Sequence, residues 1–506
     1  MDRKKDQNSL SELCWVTTGE LQNEVIRTLF SNTNGFEESG LLGLIYGGRG
    51  YRRRSLFLKE IIGQENGWVY DGNHGLSFSN KYFSRALDKA SVSPPGAGII
   101  IVHSHPFQTE DISRPPRPSR PDLKYEKELL FYLSKSLPYK TPLASGIITP
   151  NGAWRVREYS WERPNLPPQE VTHKSPVQDF SYQDAEIIRI ISQNKVDVIH
   201  HNSVSFPNFD RKAQDSTVRL WGEDGQRILG NFRVGISGLG GVGSILTELL
   251  SRLGIGELVL VDFDVVEAEN LNRLLGARVK DIGRPKIDYL TKLARKATTN
   301  KNFKVYAFRE SVSENKGINK LLDTDIIMNA ADSAFARQVL DHASYSYEIP
   351  VIDGGTIFIS SNSIANMVGK SQVSVAGPGL PCMECSGVYT QEKATQERED
   401  ISLYNDESYI KARGTPDTVP PRNPSVISYN GLVASIMTQR LLSLVLGFPP
   451  ERKTGQQRYY VEEGILNWGP IDRCRDDCPK NTWVGLGESH YIPTGVDLNR
   501  QKMRKE

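Results

Sequence analysis

One short segment constrains the fold of this chain more than any other: a glycine-rich turn between a strand and a helix. The apolar run RVGIS is followed directly by Gly238-Leu239-Gly240-Gly241-Val242-Gly243. Glycines at this place let backbone amides at a helix N-terminus approach a phosphate. Asp262 ends the next predicted strand, 19 residues after Gly243, where a ribose hydroxyl is expected. Taken alone, the turn is also typical of nicotinamide dehydrogenases.

The sequence around this turn alternates between strand-like and helix-like segments. In chain order they are Arg233–Ser237, Gly243–Leu253, Glu257–Asp262, Ile287–Ala297, Phe303–Phe308, Asp325–Ala330, Ala334–Ser344 and Pro350–Asp353. Such alternation predicts a parallel, doubly wound sheet. A long apolar helix is predicted at Ser425–Leu446, and we interpret it as a core or dimer-interface helix.

The residues that follow Asp262 argue against a dinucleotide. The stretches DFDVVEAENLNR and DIGRPK place one donor and two cations beyond the ribose position, namely Asn270, Arg273 and Lys286. A triphosphate needs such cations because charge builds up on the leaving pyrophosphate. Asp332 follows the predicted strand DIIMNA, at the end where open α/β sheets bind ligands, and a carboxylate there suits Mg²⁺.

Taken in order, these motifs resemble the ThiF/MoeB-type adenylating family, which includes ubiquitin-activating enzymes. The resemblance covers roughly residues 205–480. It implies ATP and Mg²⁺ as cofactors, a ubiquitin-like protein as substrate and a homodimer formed through this domain. The resemblance implies that Asp262 binds the ribose, that Asn270, Arg273 and Lys286 bind the phosphates, and that Asp332 binds the metal. Gly241 and its neighbours would contact the nucleotide. Arg211 would be the arginine that one subunit inserts into its partner's site across the dimer interface.

Four of the five cysteines form two close pairs. The stretch PCMEC contains Cys382 and Cys385, and CRDDC contains Cys474 and Cys478. In a chain that is not secreted, two such pairs predict a closed structural zinc site rather than disulfides. A redox pair is the alternative, and it fits less well because a partner pair is present. The fifth cysteine, Cys14, lies in what we interpret as an N-terminal tail.

This cysteine inventory bears on the fate of an adenylate. Ubiquitin-activating enzymes pass the activated protein to a cysteine of their own, often in the segment before the long C-terminal helix. The corresponding segment here, KARGTPDTVPPRNPSVISYNG, contains no cysteine. Either the adenylate passes to a partner such as a conjugating enzyme, or Thr415 or Thr418 forms an oxyester. A hydroxyl is a weak nucleophile without a nearby base.

A second candidate site lies in an N-terminal α+β segment of about residues 20–160. The run IIIVHSHP places His103 and His105 two residues apart at a strand end, so both imidazoles lie on one face and reach one metal ion. Asp122, at a helix start, would complete a set of two histidines and one carboxylate with one position open for water. Zinc lowers the pKa of such a water to roughly 7. Individually, HxH is often a structural pair and SxxD a helix capping box.

HxHP followed by SxxD resembles the JAMM (JAB/MPN) motif of zinc isopeptidases that cut ubiquitin-like conjugates. That family has an upstream glutamate, for which EESGLLG offers Glu37, with Glu38 as the fallback. The resemblance implies a catalytic zinc on His103, His105 and Asp122, acid–base catalysis by Glu37 and oxyanion stabilisation by Ser119. Residues 107–118 form a longer insert than the family has, and it would bind substrate or occlude the site.

Composition limits the partners and the location. The chain has 62 basic and 60 acidic residues, too balanced for a nucleic-acid binder. It has neither an apolar run long enough to cross a membrane nor a secretory signal, so we expect a cytoplasmic protein. The predicted division is a JAMM/MPN domain at 1–160, a proline-rich linker and connecting helix at 161–200, an α/β doubly wound adenylating domain at 201–485 and a basic tail at 486–506.

Together the resemblances predict a bifunctional enzyme of the kind found in prokaryotic ubiquitin-like conjugation systems. One half would adenylate a ubiquitin-like protein, and the other would process or remove it. Activation of a sulfur-carrier protein for cofactor or tRNA thiolation is an alternative, separated by its thiocarboxylate product. A scaffold that binds ubiquitin-like proteins without turnover is the other alternative.

Overall fold

A computed structural model describes most of the chain. The described residues are 12–30, 39–63, 68–71, 75–105, 111–138, 141–161, 180–201, 209–359, 368–398, 425–448, 456–461, 463–469 and 473–495. They group into two compact units, the first drawn from residues 1–191, 197–204 and 485–490 and the second from 192–196, 205–484 and 491–506. None of the described helices combines the length and apolar character needed to cross a membrane.

The described part of the first unit consists of strands and three helices. In chain order they are β1 (Glu12–Thr18), α1 (Gly19–Phe30), β2 (Gly40–Arg49), β3 (Arg53–Ile62), β4 (Trp68–Asp71), β5 (Gly75–Phe78), α2 (Asn80–Val92), β6 (Gly98–Ser104), α3 (Arg120–Ser136), β7 (Leu143–Ile148), β8 (Trp154–Trp161), β9 (Phe180–Asp184), β10 (Ile187–Ser192) and β11 (Lys195–His200). Nine of the strands form one sheet in the order β11-β10-β1-β3-β2-β6-β7-β8-β9. β4 and β5 form a separate antiparallel pair.

The inner strand β6 shows why this sheet is covered on both faces. Its sequence GIIIVHS is buried throughout, as expected for a strand packed on two sides. Side chains alternate between faces, so Ile99 and Ile101 join one core with Leu130 of α3, whereas Ile100 and Val102 join the other with Trp154. The segment contains both strands and helices, as its predicted α+β character requires.

Three predictions at the margins of this unit are wrong. Residues 180–200 form strands rather than a connecting helix, because the β-branched run IIRIIS extends the sheet beside β1. Cys14 does not lie in a tail: it is buried in β1 between Ser55 and Ile187. Residues 486–495 are not a basic tail either, since Leu486 enters the first unit's core and the Gly495 N–H donates to the Ser313 carbonyl. Residues 162–179 and 496–506 lie outside the described residues.

The second unit contains the predicted alternation of strands and helices. In chain order its elements are α4 (Asp215–Asn231), β12 (Arg233–Ser237), α5 (Gly241–Arg252), β13 (Glu257–Val261), α6 (Lys286–Ala297), β14 (Lys304–Phe308), α7 (Asn315–Leu321), β15 (Ile326–Asn329), α8 (Ala334–Ser346), β16 (Val351–Ile359), β17 (Val368–Ala376), α9 (Gln391–Arg398), α10 (Ile427–Leu446), β18 (Gln456–Tyr460), β19 (Ile465–Trp468) and α11 (Lys480–Trp483). Most predicted bounds agree with these within two residues.

The eight-stranded sheet of this unit has the order β14-β13-β12-β15-β16-β17-β18-β19. The strands from β14 to β16 are parallel, and those beyond β16 pair antiparallel. A wholly parallel sheet is therefore wrong for the β17–β19 edge. The chain moves outward through β13 and β14 and then returns to β15 on the other side of β12. Open α/β sheets bind ligands at the carboxyl ends of the strands beside such a reversal.

Candidate functional site

The turn after β12 lies at that reversal and touches the turn after β15. Gly238 has a φ of 81°, a conformation that favours glycine. A side chain there would place its Cβ 2.6 Å from the Ala331 nitrogen, which belongs to the loop that carries Asp332. α5 starts with Gly240 as its N-cap, and no side chain caps it. Its first N–H groups therefore remain available to an anion.

Close packing against α10, as well as the predicted contact with a nucleotide, requires a glycine at position 241. A Cβ at this position would lie 2.9 Å from the Cγ of Asn430, on the first turn of α10, and closer still to its Nδ2. Asn430 is buried, and its Nδ2 donates to the Ser425 hydroxyl at 3.0 Å. The close packing of α10 on α5 therefore requires a small residue here, and the nucleotide contact of Gly241 stays a prediction.

Asp262 follows β13 and is hydrogen-bonded to the glycine-rich turn at residues 238–243, called the phosphate turn here after its predicted ligand. Its Oδ2 accepts from the Leu239 N–H at 2.5 Å, and its Oδ1 accepts from the Asp264 N–H at 2.7 Å. Burial raises the pKa of this carboxyl, while the nearby Lys286 opposes that rise. Each carboxylate oxygen has two lone pairs, so a ribose hydroxyl can still donate to Asp262.

Lys286 opens α6 beside this carboxylate. Its Nζ donates to Asp264 Oδ2 at 2.8 Å. Burial alone would lower the pKa of Lys286, but Asp262 and Asp264 outweigh it and raise the pKa, so the ammonium stays charged. Sequence analysis missed Asp264, although the alternation in Asp262-Phe263-Asp264 was a usable signal.

Asn270 ends a short 3-10 turn between β13 and α6, and Arg273 lies three residues after it. The buried Asn270 accepts from the Glu267 N–H through its Oδ1 at 3.3 Å. Arg273 Nη1 donates to the Glu269 carbonyl at 2.8 Å and to the Asn272 side chain at 3.1 Å. Among the described residues no carboxylate pairs with Arg273, so its charge remains available to an anion.

Asp332 is exposed at the carboxyl end of β15, next to a buried polar cluster that sequence analysis missed. Arg337 Nη1 donates to the Asp332 carbonyl at 3.3 Å, and its Nε donates to Asp353 Oδ1 at 3.0 Å. The same Oδ1 accepts from Asn329 Nδ2 at 2.6 Å. Asn329 and Asp353 form the last pair of the parallel ladder between β15 and β16, and polar residues at such strand ends were the available signal.

Arg211 is the predicted site residue that the structure leaves outside this group. It precedes α4 and pairs with Asp215 at 2.8 Å and with Glu223 at 3.2 Å. Both partners are well exposed, so the ion pairs are weak and exchange readily with solvent. The role of Arg211 across a dimer interface stays a prediction. Thr415 and Thr418 lie outside the described residues.

The four paired cysteines converge as predicted. The Sγ atoms of Cys382, Cys385, Cys474 and Cys478 all lie within 4.8 Å of one another. The Cys382 N–H donates to Cys474 Sγ at 3.1 Å, and the Cys385 N–H donates to Cys382 Sγ at 3.2 Å. Proximity to the Cys474 sulfur and burial raise the pKa of the Cys382 thiol. Four thiolates in this space therefore need a cation, and the donor set suits a closed zinc site.

A buried ion cluster supports this centre. Lys480 Nζ donates to Glu384 Oε2 at 2.7 Å and lies 3.2 Å from Asp341 Oδ2. Asp341 also accepts from the Met383 N–H at 3.1 Å, next to Cys382. Both Asp341 and Lys480 are buried. The Glu384–Lys480 ion pair thus connects the loop that carries Cys382 and Cys385 to α11, which follows Cys474 and Cys478.

The predicted histidine centre forms in the first unit. Asp122 Oδ2 lies 3.7 Å from His103 Nε2 and 3.5 Å from His105 Nε2. Both Nε2 atoms are buried, and neither has a hydrogen-bond partner among the described residues. Burial opposes ionisation of Asp122, but the two imidazoles and the Ser119 amide outweigh it and lower the pKa of its carboxyl. Two unsatisfied nitrogens and a carboxylate that face one point fit a metal ion.

A capping box at the start of α3 orients this carboxylate. The Ser119 N–H donates to Asp122 Oδ2 at 2.6 Å, and the Ser119 hydroxyl accepts from the Asp122 N–H at 3.2 Å. Helix capping and metal ligation are therefore compatible, because the same Oδ2 faces the histidines. Sequence analysis missed Glu126, one turn further along α3, whose Oε1 lies 3.8 Å from His103 Nδ1. Glu37 and Glu38 lie outside the described residues, as does part of the predicted insert.

Comparison with known proteins bears on the second unit. A model of the ThiF family matches residues 212–475, which do not include the histidine centre. The molybdopterin-synthase adenylyltransferase of Escherichia coli is 28% identical over 164 residues, or 32% of this chain and 61% of that protein. The tRNA threonylcarbamoyladenosine dehydratase of Bacillus subtilis is 32% identical over 234 residues, or 42% of this chain and 87% of that protein.

A third relative, ubiquitin-like modifier-activating enzyme 5 of Gallus gallus, is 27% identical over 294 residues, or 54% of this chain and 65% of that protein. The chain thus spans less than two thirds of the Escherichia coli and Gallus gallus relatives. The family match covers more than half of the chain, and the matched residues include the phosphate turn, Lys286, Asp332 and the first three paired cysteines. The chain therefore belongs to the ThiF family.

Proposed function

We propose that the second unit uses ATP to adenylate the C-terminal carboxylate of a ubiquitin-like protein. A single arrangement supports this most strongly: the uncapped start of α5, the charged Lys286 and Asp332 all follow parallel strands at one end of the sheet. That combination supplies amides and a cation for a triphosphate and a carboxylate for Mg²⁺. The substrate carboxylate would attack the α-phosphorus, and the bond to pyrophosphate would break.

The residues present fit a magnesium–ATP complex without clashing charges. Arg273 and Lys286 offset the phosphates, while Asp332 is exposed and unpaired among the described ion pairs. Mg²⁺, when bound, neutralises charge that develops on the phosphates. Arg273 and Lys286 would bind the oxygens of the departing pyrophosphate, where the negative charge increases.

The cysteines limit how the adenylate can be consumed. Cys14 is buried in β1, and the other four cysteines face one another in the second unit. We infer that no cysteine of this chain takes the activated protein, and that a partner supplies the acceptor. This inventory equally favours a second candidate, activation of a sulfur-carrier protein. The products separate the two: an amide or ester to a target in one case, and a thiocarboxylate in the other.

ATP–pyrophosphate exchange tests the adenylation. Exchange should require a ubiquitin-like or sulfur-carrier protein and should be lost in Asp332→Ala. The matched control is Asp224→Ala, which removes another exposed aspartate, on α4. Exchange that persists in Asp332→Ala, or that no candidate protein elicits, would contradict the proposal and favour a binding scaffold.

We further propose that the first unit is a zinc-dependent isopeptidase that processes or removes the same protein. The observation that supports it is the pair of buried, unsatisfied Nε2 atoms facing Asp122. Zinc, when bound, activates a water and polarises the scissile carbonyl. The Ser119 hydroxyl accepts one hydrogen bond and keeps its own hydrogen free to donate to an oxyanion.

The general base in this proposal remains Glu37. Ser39, the nearest described residue, donates its N–H to the Ser104 hydroxyl at 2.8 Å, between the two histidines. Having both enzymes on one chain would raise the effective concentration of a shared substrate.

Cleavage of a fusion of the ubiquitin-like protein to a C-terminal extension tests the isopeptidase. Wild-type protein loaded with zinc should cleave it, and Glu37→Gln should bind zinc without cleaving. Glu24→Gln is a control, because it makes the same replacement at another glutamate of the first unit, exposed on α1. Zinc binding without cleavage by the wild type would point to a non-hydrolytic centre.

A further inference from the structure

A buried carboxylate lies behind the histidine centre. Glu126 is one helical turn after Asp122 on α3 and is only 2% exposed. Its Oε1 lies 3.8 Å from Nδ1 of His103, which is the ring nitrogen on the opposite side from the one that faces Asp122. The two carboxylates of α3 therefore approach the two nitrogens of one imidazole.

Two side chains from the neighbouring strand β8 hold Glu126 in place. Arg157 Nη2 donates to both carboxylate oxygens at 2.5 Å, and the Tyr159 hydroxyl donates to Oε2 at 2.7 Å. Arg157 is fully buried, and its Nε donates to the Ser145 hydroxyl at 3.3 Å. Glu126 raises the pKa of Arg157 against the opposing effect of burial, so the guanidinium stays charged.

Stability alone is a poor reason for such a pair. Desolvation of two buried charges cancels most of their attraction, and apolar residues of similar size commonly serve as well. A carboxylate has about four lone-pair directions, so Glu126 can accept another donor besides Arg157 and Tyr159. His103 Nδ1 lies 3.8 Å away, so a shift of about 1 Å would bring it to hydrogen-bond distance as that donor.

We propose that Glu126 is a positioning residue of the histidine centre. It accepts a hydrogen bond from His103 Nδ1–H once a metal ion is bound, which keeps the proton on Nδ1 and presents the Nε2 lone pair to the metal. Histidine ligands are commonly oriented in this way by an outer carboxylate, and loss of that carboxylate weakens metal binding by roughly 10–100-fold. Arg157 and Tyr159 hold the Glu126 carboxylate in place through hydrogen bonds. This role of Glu126 rests on the proposed metal site.

Metal affinity, rather than peptidase activity, is the readout that isolates this role. Zinc competition against a chromogenic chelator should resolve two sites per chain, and His105→Ala should identify the one formed by the histidines. Glu126→Gln should weaken zinc binding at that site roughly 10–100-fold and leave the cysteine site unchanged. The control is Glu158→Gln on β8, which removes another buried glutamate paired with an arginine, Arg54, and should leave both sites unchanged.

Glu126→Gln leaves Arg157 buried without its partner, so a second variant guards against misfolding. The double replacement Glu126→Leu with Arg157→Met removes both charges and should fold, yet should show the same loss of zinc affinity. Folded variants that bind zinc as tightly as wild type would overturn the inference. If wild-type protein binds zinc only at the cysteine site, the histidine metal centre itself is refuted. Failure of the proposed metal site is thus distinguished from failure of the role of Glu126.

Discussion

Replacing Gly241 by alanine tests why the phosphate turn has a glycine at its fourth position. The new Cβ would lie 2.9 Å from Asn430 Cγ, and closer to Nδ2, against the roughly 3.5 Å of an ordinary contact. Both helices that meet there are packed in the core, so the clash should cost about 1–3 kcal/mol of unfolding free energy. α5 and α10 would have to separate, or Asn430 would have to leave its buried position.

A double-mutant cycle isolates this clash. Asn430→Ala alone should cost about 1 kcal/mol, because it removes the hydrogen bond to Ser425. The Cβ of residue 430 lies 3.5 Å from the added Cβ, an ordinary contact, so the combined variant should be less damaged than the sum of its parts by about 1–3 kcal/mol.

Urea unfolding and ATP affinity are the two assays for this cycle. If packing requires the glycine, Asn430→Ala should restore both the stability and the nucleotide affinity that Gly241→Ala loses. If contact with the nucleotide requires it, Gly241→Ala should unfold normally and lose only ATP binding, and Asn430→Ala should not rescue it. A stable Gly241→Ala variant would thus refute the packing argument.

Three further predictions concern buried charges. Lys480→Met should destabilise the protein by about 3–5 kcal/mol and release zinc from the cysteine site, because it leaves the buried Asp341 without its cation. Urea unfolding measures the stability and metal analysis measures the zinc content. Adding Asp341→Asn should recover most of the lost stability and zinc. Arg337→Gln should raise the Mg²⁺ concentration needed for half-maximal exchange, and weaken Mn²⁺ binding to the ATP complex by roughly tenfold, because the Asp332 loop loses its anchor. Arg233→Gln removes a comparable buried ion pair at the opposite end of the strands and should leave the Mg²⁺ requirement unchanged; an equal shift in both variants would refute the argument. Burial lowers the pKa of His490 to about 4, from a value near 6.5 in the unfolded chain. Between pH 4 and 6.5 the unfolded chain therefore binds more protons than the folded one, so the free energy of unfolding should fall as the pH drops through this range. In His490→Gln this part of the pH dependence should disappear.

Local patterns were sufficient for most elements and for the ligand sets. The period-2 spacing of His103 and His105 on β6 places both rings on one face whatever surrounds them. The strand, glycine turn and helix at residues 233–252 are adjacent in the chain, so hydrophobic periodicity and turn chemistry identify them directly. The same holds for each cysteine pair, since a knuckle forms within a few residues.

The sequence by itself thus determined the α/β character of the second unit, the two sets of residues that could hold a metal ion and the absence of a spare cysteine. Only the tertiary structure decided which distant side chains support them: Asn430 against Gly241, Lys480 against Asp341, and Arg157 against Glu126. Each of these pairs joins residues from separate elements, and periodicity within one element does not predict a contact with another. The placement of β10 beside β1 and of Leu486 in the first unit has the same origin. Those segments pack where they do because they bury apolar side chains of residues that are distant in the chain. Such surfaces exist only in the folded protein, so a short stretch of sequence cannot reveal them.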